Sequence, residues 1–314
     1  MSDLLLARAH SLGGVFSSAD ASADGVSRNA LRSLVAAGSV VRVAPRAHVL
    51  AQALAAARTP EAVHRLHTLA VLRSFDGRVA ASHHSALALH GLPFWRVDTS
   101  TFHVCRVVGR SSRVRGTLHV HESTRSVPLL RLRATGALTV PPGLAAVGTA
   151  IVDGVEAGVV AMDAALHRGL VRPEDLDGLV SEHRCVPGVT RARTAALLAE
   201  ASAESPGESR TRLLLRQLPA GLVVEPQAVV RDPESRFVAR CDFLVGGRVV
   251  VEFDGRAKYG LSGTREDDLW AEKLREDRLR ALGYLVVRLT WQDLADPAAV
   301  LRRVWQALRV AGAG

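Results

Sequence analysis

The sequence predicts an α/β chain, α+β overall, on three observations. The last third contains two β-branched, apolar stretches that meet at Gly246-Gly247, the composition and turn of a β-hairpin. Helical patterns flank that hairpin, so the order reads αβββαβ with one more helix at the end. The first fifty residues hold three short helix patterns and a β pair, and a long Ala-rich helical stretch lies between the two ends. At 314 residues the chain is long enough for two domains with a core each. The patterns mark three regions: 1–58, 59–204 and 205–314.

Taken in order, Asp3–Leu12 reads as a short helix that ends before Gly13-Gly14. Ser17 or Ser18 opens a second, and Ser27 caps a third from Arg28 to Ala37, stopped by Gly38. Val40–Val43 and Ala47–Leu50 form a β pair turned at Ala44-Pro45-Arg46. Three helices and a small ribbon make a winged helix-turn-helix. Arg28 and Arg32 sit near the start of its recognition helix and Arg42 and Arg46 on its wing, a placement suited to phosphate contacts. Winged helices also serve as protein-interaction modules, and no array of Asn or Gln for reading bases is visible.

Glu61–Phe75 has helical spacing and is expected to pack on the winged helix. Ser82–Leu92 reads as a capped helix ended by glycine. Its histidines do not make a zinc set: His83 and His84 are adjacent and point apart, His90 lies nearly two turns on, and no Cys or third His completes the spacing. Thr101–Val107 and Thr117–His121 alternate like half-buried strands, with His119 and His121 on one face and a structural role expected. Leu129–Val140 is strand-like. From Leu144 to about Glu200 the pattern is a helical bundle without visible chemistry.

In the last third the apolar strands contain carboxylates, which need a reason because an unpaired buried charge costs several kcal/mol. A three-residue loop, Gly246–Arg248, would pair Val245 with Val249 and set Asp242 opposite Glu252, with Asp254 two residues on. Three converging carboxylates repel one another unless a cation lies between them, and oxygen ligands favour Mg²⁺ or Mn²⁺. The alternative is ion pairing with some of the many arginines. Glu208 follows Ser205-Pro206 in a capping box, so its carboxylate holds the helix end or supports a metal from behind.

Net charge is +9, which suits a polyanionic partner such as DNA. Cys105, Cys185 and Cys241 form neither a disulfide framework nor a zinc spacing. A start at Met1-Ser2-Asp3 without a signal-peptide charge pattern, and no apolar run of membrane length, lead us to expect a cytoplasmic protein without membrane contact. Among 40 basic residues the lysines are Lys258 and Lys273, both in the last third. A lysine can share its proton where an arginine cannot, which singles out Lys258, close to the carboxylates, for a functional role.

The order of elements, with Glu208, Asp242, Val251-Glu252-Phe253-Asp254-Gly255, Lys258-Tyr259, Arg275-Glu276-Asp277-Arg278, and Gly283-Tyr284 with Val287-Arg288-Leu289, resembles the PD-(D/E)XK nuclease superfamily, in its short-patch-repair-like branch. The resemblance covers about Ser205 to Asp293. The first 200 residues more loosely resemble the winged-helix antitoxins of abortive-infection type IV systems, which implies a possible cognate toxin. The superfamily places a lysine two residues after the glutamate; here that position is Asp254, and Lys258 is the nearest substitute.

The resemblance implies a metal-dependent DNA endonuclease acting in repair or phage defence. Asp242 and Glu252 would hold Mg²⁺ or Mn²⁺ with Asp254 at a second position, Glu208 would support them, and Lys258 would orient the water. Arg256, Arg265 and Arg275 would grip the backbone. The other reading is a catalytically silent DNA-binding regulator of antitoxin type, favoured by Asp254 in the lysine position. Carboxylates in an open cleft suit the metal, and carboxylates sealed by arginines suit the silent scaffold.

Overall fold

We describe a computed structural model that covers residues 2–109, 111–123, 128–183, 185–255 and 266–312, with the side chains of 266–269 and 271 left aside. The chain divides into two compact units, 1–199 and 200–314. The first opens with α1 (Asp3–Ser11), β1 (Val15–Ser17), α2 (Ser18–Ala23), α3 (Arg28–Ala36), β2 (Val40–Ala44) and β3 (Ala47–Leu50). Each helix begins where a serine hydroxyl accepts an otherwise orphaned backbone N–H: Ser2 from Leu5, Ser17 from Asp20 and Ser27 from Ala30. Gly38, at φ 72°, turns the chain out of α3. β1 joins the expected ribbon, giving the order β1-β3-β2. Leu5, Phe16, Leu31, Val40 and Leu50 form the core under it.

No division falls near residue 58. After α4 (Ala51–Ala56), α5 (Pro60–Ser74) lies against β1 and β3. Arg73 near its end donates to Asp20 at 2.9 Å, tying the helix to the capping box of α2. The winged helix and the middle region therefore share one unit.

The middle region adds β4 (Val79–Ala81), α6 (His83–Leu89), β5 (Phe102–Arg106), β6 (Arg113–Arg115), β7 (Leu118–His121), β8 (Leu130–Arg131) and β9 (Leu138–Thr139). They form one sheet in the order β6-β7-β5-β4-β9-β8. β5 and β7 run parallel, which sets His103 beside His119 and Cys105 beside His121. The strand-like piece expected over 129–140 is two short antiparallel strands, because the chain reverses at Gly136 with φ 68°. The helical bundle follows as α7 (Pro142–Asp153), α8 (Val155–His167), α9 (Leu176–Ser181) and α10 (Val189–Leu198). Its small residues let helices approach closely: a methyl on Gly158 of α8 would overlap Ala150 of α7.

The second unit contains α11 (Pro206–Leu215), β10 (Val224–Arg231), β11 (Phe237–Val245), β12 (Val249–Phe253), α12 (Glu266–Ala281), β13 (Leu285–Leu289) and α13 (Pro297–Val310). The sheet order is β10-β11-β12-β13, antiparallel except for the β12–β13 pair. The hairpin has the expected register, Val245 opposite Val249 and Phe243 opposite Val251. Gly246 and Gly247 make it possible at φ 57° and 65°, where a Cβ would be strained. Both faces are covered: Phe243, Val249, Val251 and Leu289 pack with Leu215 and Val304, and Cys241 and Val250 pack with Leu279. This two-sided burial explains the unbroken apolar run Val249–Val251. Among the described residues no helix is long and apolar enough to cross a membrane.

Candidate functional site

In the winged helix, Arg28 and Arg32 lie one turn apart on α3, Arg42 stands on β2, and Arg46 occupies the β2–β3 turn. All four are exposed. None of their side chains enters an ion pair or hydrogen bond among the described residues, whereas the nearby acids are already occupied. Asp24 accepts from Arg8 at 2.6 and 2.7 Å. Asp20 accepts from Arg73 and from the Ser17 backbone. Burial alone would raise the Asp20 pKa, but these hydrogen bonds outweigh it and hold the carboxyl at about 2. The segment therefore presents uncompensated guanidinium groups beside the N-terminus of a helix, both of which attract phosphate.

Residues 3–46 match the family model described as a transcriptional regulator, AbiEi antitoxin. The matched segment runs from the first residue of α1 to the β2–β3 turn and includes all four arginines. No curated protein matches the chain.

The second group of polar residues lies in the C-terminal unit, around Asp242. Continuing the hairpin register places Asp242 opposite Glu252. Asp242 Oδ2 accepts from the Phe253 backbone N–H at 2.7 Å. Burial pushes its pKa up to about 6 against that hydrogen bond, and the charges of Glu208 and Glu252 add to the rise. Cys241 packs on one face of the sheet and Phe243 on the other, so the alternation of β11 breaks at Asp242. The residue opposite on β10 is Gln227, a non-glycine at φ 52°. Backbone strain of this kind gathers where side chains must be aimed.

Glu252 has cationic company. Arg275 of α12 donates to both its oxygens, at 2.7 and 2.9 Å, a bidentate pair of the strong kind. Arg288 of β13 lies alongside Glu252 and also pairs with Glu272 at 2.7 Å and Glu276 at 2.9 Å. The sequence placed Arg288 in a motif, Val287-Arg288-Leu289, without giving it a role, although a charge inside the apolar run Leu285–Leu289 was a signal that a partner awaited it.

Glu208 is tied to the start of α11. It donates its N–H to Ser205 Oγ and accepts from that hydroxyl at 2.7 Å, while its other oxygen accepts from Glu204 N and Gln227 Nε2, both at 3.0 Å. A methyl on Gly207 would overlap the Phe253 ring, so this glycine is what allows Glu208 to sit close to β12. Asp254 is exposed, and its backbone N–H donates to Leu289 O. Lys258, Arg256 and Arg265 lie outside the described residues.

One expectation from sequence requires correction. The histidines of the middle region were read as lacking a third partner. Among the described residues, the one group of three or more His, Cys, Asp or Glu ligand atoms gathered tightly enough for an ion is His83, His103 and His121. Only His83 comes from the helix; His103 and His121 come from the sheet, because β5 and β7 pair in parallel and bring their histidines together.

Proposed function

We propose that this protein is a DNA-binding transcriptional regulator of antitoxin type, whose N-terminal winged helix grips the DNA backbone and whose C-terminal unit is a catalytically silent scaffold. The observation that carries the reading is the set of four exposed arginines without acidic partners, all inside the segment that matches the antitoxin regulators. Silence of the C-terminal unit is supported by Glu252, whose two oxygens are taken by Arg275, and by Asp254 in the lysine position of the PD-(D/E)XK pattern. Such a regulator implies a cognate toxin as a second partner. The test is binding of the full chain to a duplex from upstream of its own coding sequence and to a scrambled duplex, across a salt series. Tighter binding to the upstream duplex supports a regulator, and no binding to either duplex at low salt rejects it.

A second reading, a metal-dependent DNA endonuclease, is favoured by the raised pKa of Asp242 in the company of Glu208 and Glu252. A divalent cation would relieve that repulsion. Asp242 and Glu252 would hold Mg²⁺ or Mn²⁺, with Asp254 at a second position. The metal would supply an activated water and charge neutralisation on the phosphate. Lys258 would position the water, and Arg256, Arg265 and Arg275 would hold the backbone. Holding a metal in this way requires Arg275 to give up Glu252. Cleavage of supercoiled DNA with Mg²⁺ or Mn²⁺, lost with EDTA and in Glu252→Ala, would establish the enzyme. Binding without cleavage under every metal condition would leave the regulator.

A further inference from the structure

We propose that His83, His103 and His121 form a binding site for a divalent transition-metal ion of the zinc class, which pins the start of α6 to the β5–β7 sheet. Their ligand atoms all lie within 4.8 Å of one another. The tightest pair, His103 Nδ1 and His121 Nε2, is 2.9 Å apart. Tetrahedral Zn²⁺ at its usual bond length of about 2.0–2.1 Å to imidazole nitrogen holds two ligands about 3.3 Å apart. The spacing of that pair is therefore within a few tenths of an ångström of a ligand pair's, but its nitrogens face each other across a hydrogen bond between nearly parallel rings. Both rings must turn towards a common point, and His83, stacked on His121 with ring centroids 4.1 Å apart, must tilt to join them.

Three further features point to a built site. His83 is a non-glycine residue at φ 51°, a cost of the sort retained where a side chain must be aimed. Its ring fits because residue 148, in the middle of α7, is glycine: a methyl there would come within 3.0 Å of the His83 ring. A mid-helix glycine itself costs about 1 kcal/mol against alanine, so two unfavourable local choices converge on the placement of one imidazole. Finally, Ser82 Oγ lies 3.1 Å from His83 Nδ1 and can hold that nitrogen as the N–H, the kind of orienting contact that metal-binding imidazoles ordinarily have.

His84 is excluded as a ligand because both its nitrogens face oxygens, Asp153 Oδ2 at 3.1 Å and the Thr101 carbonyl at 3.0 Å. An all-imidazole set favours zinc-class ions over Mg²⁺ or Ca²⁺, so this site differs in kind from the carboxylates of the C-terminal unit.

The experiment uses the full chain, stripped with EDTA and titrated with Zn²⁺ and, separately, Co²⁺. We expect about one ion per chain, a Co²⁺ spectrum of nitrogen ligation, and a melting temperature of the N-terminal unit raised by about 5 °C or more at about 100 times the Kd. His121→Gln, the variant at the least buried ligand, should weaken binding by more than about 100-fold, while Cys185→Ser, which removes an exposed thiol, should not. If His121→Gln does not fold, ¹⁵N-histidine NMR of the unsubstituted chain decides: on Zn²⁺ addition three imidazoles should shift together. Absence of saturable binding, or binding that survives both His121→Gln and His103→Gln, overturns the site and leaves a hydrogen-bonded cluster of neutral imidazoles.

Discussion

Two sets of arginines, one on the winged helix and one around β12, are used in opposite ways. In the winged helix, Arg28, Arg32, Arg42 and Arg46 face solvent without acidic partners. Around β12, Arg275 and Arg288 are engaged with Glu252, Glu272 and Glu276. An uncompensated guanidinium on a surface contributes little to folding and much to attraction for a polyanion. One locked onto a part-buried carboxylate does the reverse, because it removes the penalty of a lone charge. The same residue type thus marks the proposed binding face in one set and a structural tie in the other, as Arg8 and Arg73 also do within the first unit.

The largest expected effect that would break this contrast is on DNA binding. Replacing Arg28, Arg32, Arg42 and Arg46 together by alanine should lower affinity at least about 100-fold at low salt. It should also flatten the slope of log K against log salt by about 0.9 for each phosphate that is no longer neutralised. The unfolding free energy should stay within about 0.5 kcal/mol per substitution. An unchanged salt slope in a fluorescence-anisotropy series would remove the winged helix as the binding face.

Arg275→Ala should show the opposite signature. It leaves Glu252, with a side chain only 13% exposed, without its bidentate partner, at a cost of about 2–3 kcal/mol in urea unfolding. Arg275→Lys should recover only part of that, since an ammonium cannot reproduce the fork.

Asp242 sharpens the comparison through pH. Its carboxyl is raised from 3.8 to about 6 in the folded chain, so the folded state binds that proton more tightly than the unfolded state does. The stabilisation is complete below pH 3.8, declines between 3.8 and 6, and is lost above about 6, an effect of at most about 3 kcal/mol. Asp242→Asn should flatten this part of the stability curve. In the unsubstituted chain, a stabilisation above pH 6 that requires Mg²⁺ or Mn²⁺ would favour the metal-binding reading. The smallest effect is expected at the helix cap, where Ser205→Ala should cost about 1 kcal/mol.

The sequence showed more of the backbone than of the polar chemistry. The register of the β11–β12 hairpin followed from Gly246-Gly247 and the apolar runs, because a two-glycine turn restricts which residues can face each other. Ser27 and Ser205 announced their helices by capping chemistry alone, and the pair Ser17-Ser18 did so for α2, where Ser17 is the cap. β1 escaped notice because three residues are too few to display an alternation, and 129–140 looked like one strand because a glycine reversal leaves its apolar residues in place. At the polar sites, the proximity of Glu208, Asp242 and Glu252 was legible from motif spacing and strand pairing. The bidentate grip of Arg275 was not, since α12 is separated from β12 along the chain and its orientation depends on packing. The histidine cluster was hidden for the same reason. Its one available signal was His119 and His121, two apart on one strand, and His103 on another that proves to be its neighbour.

Arg46 is a choice made against the fold. Its backbone sits at φ 66° in the wing turn, a conformation that glycine adopts without penalty and arginine only at a cost of about 1 kcal/mol. Arg46→Gly is therefore expected to give a sturdier wing that holds nucleic acid less well. Selection for thermal robustness alone would drift this position towards glycine, whereas the proposed DNA contact would favour keeping the guanidinium. Position 46 is where durability and grip pull the sequence in opposite directions.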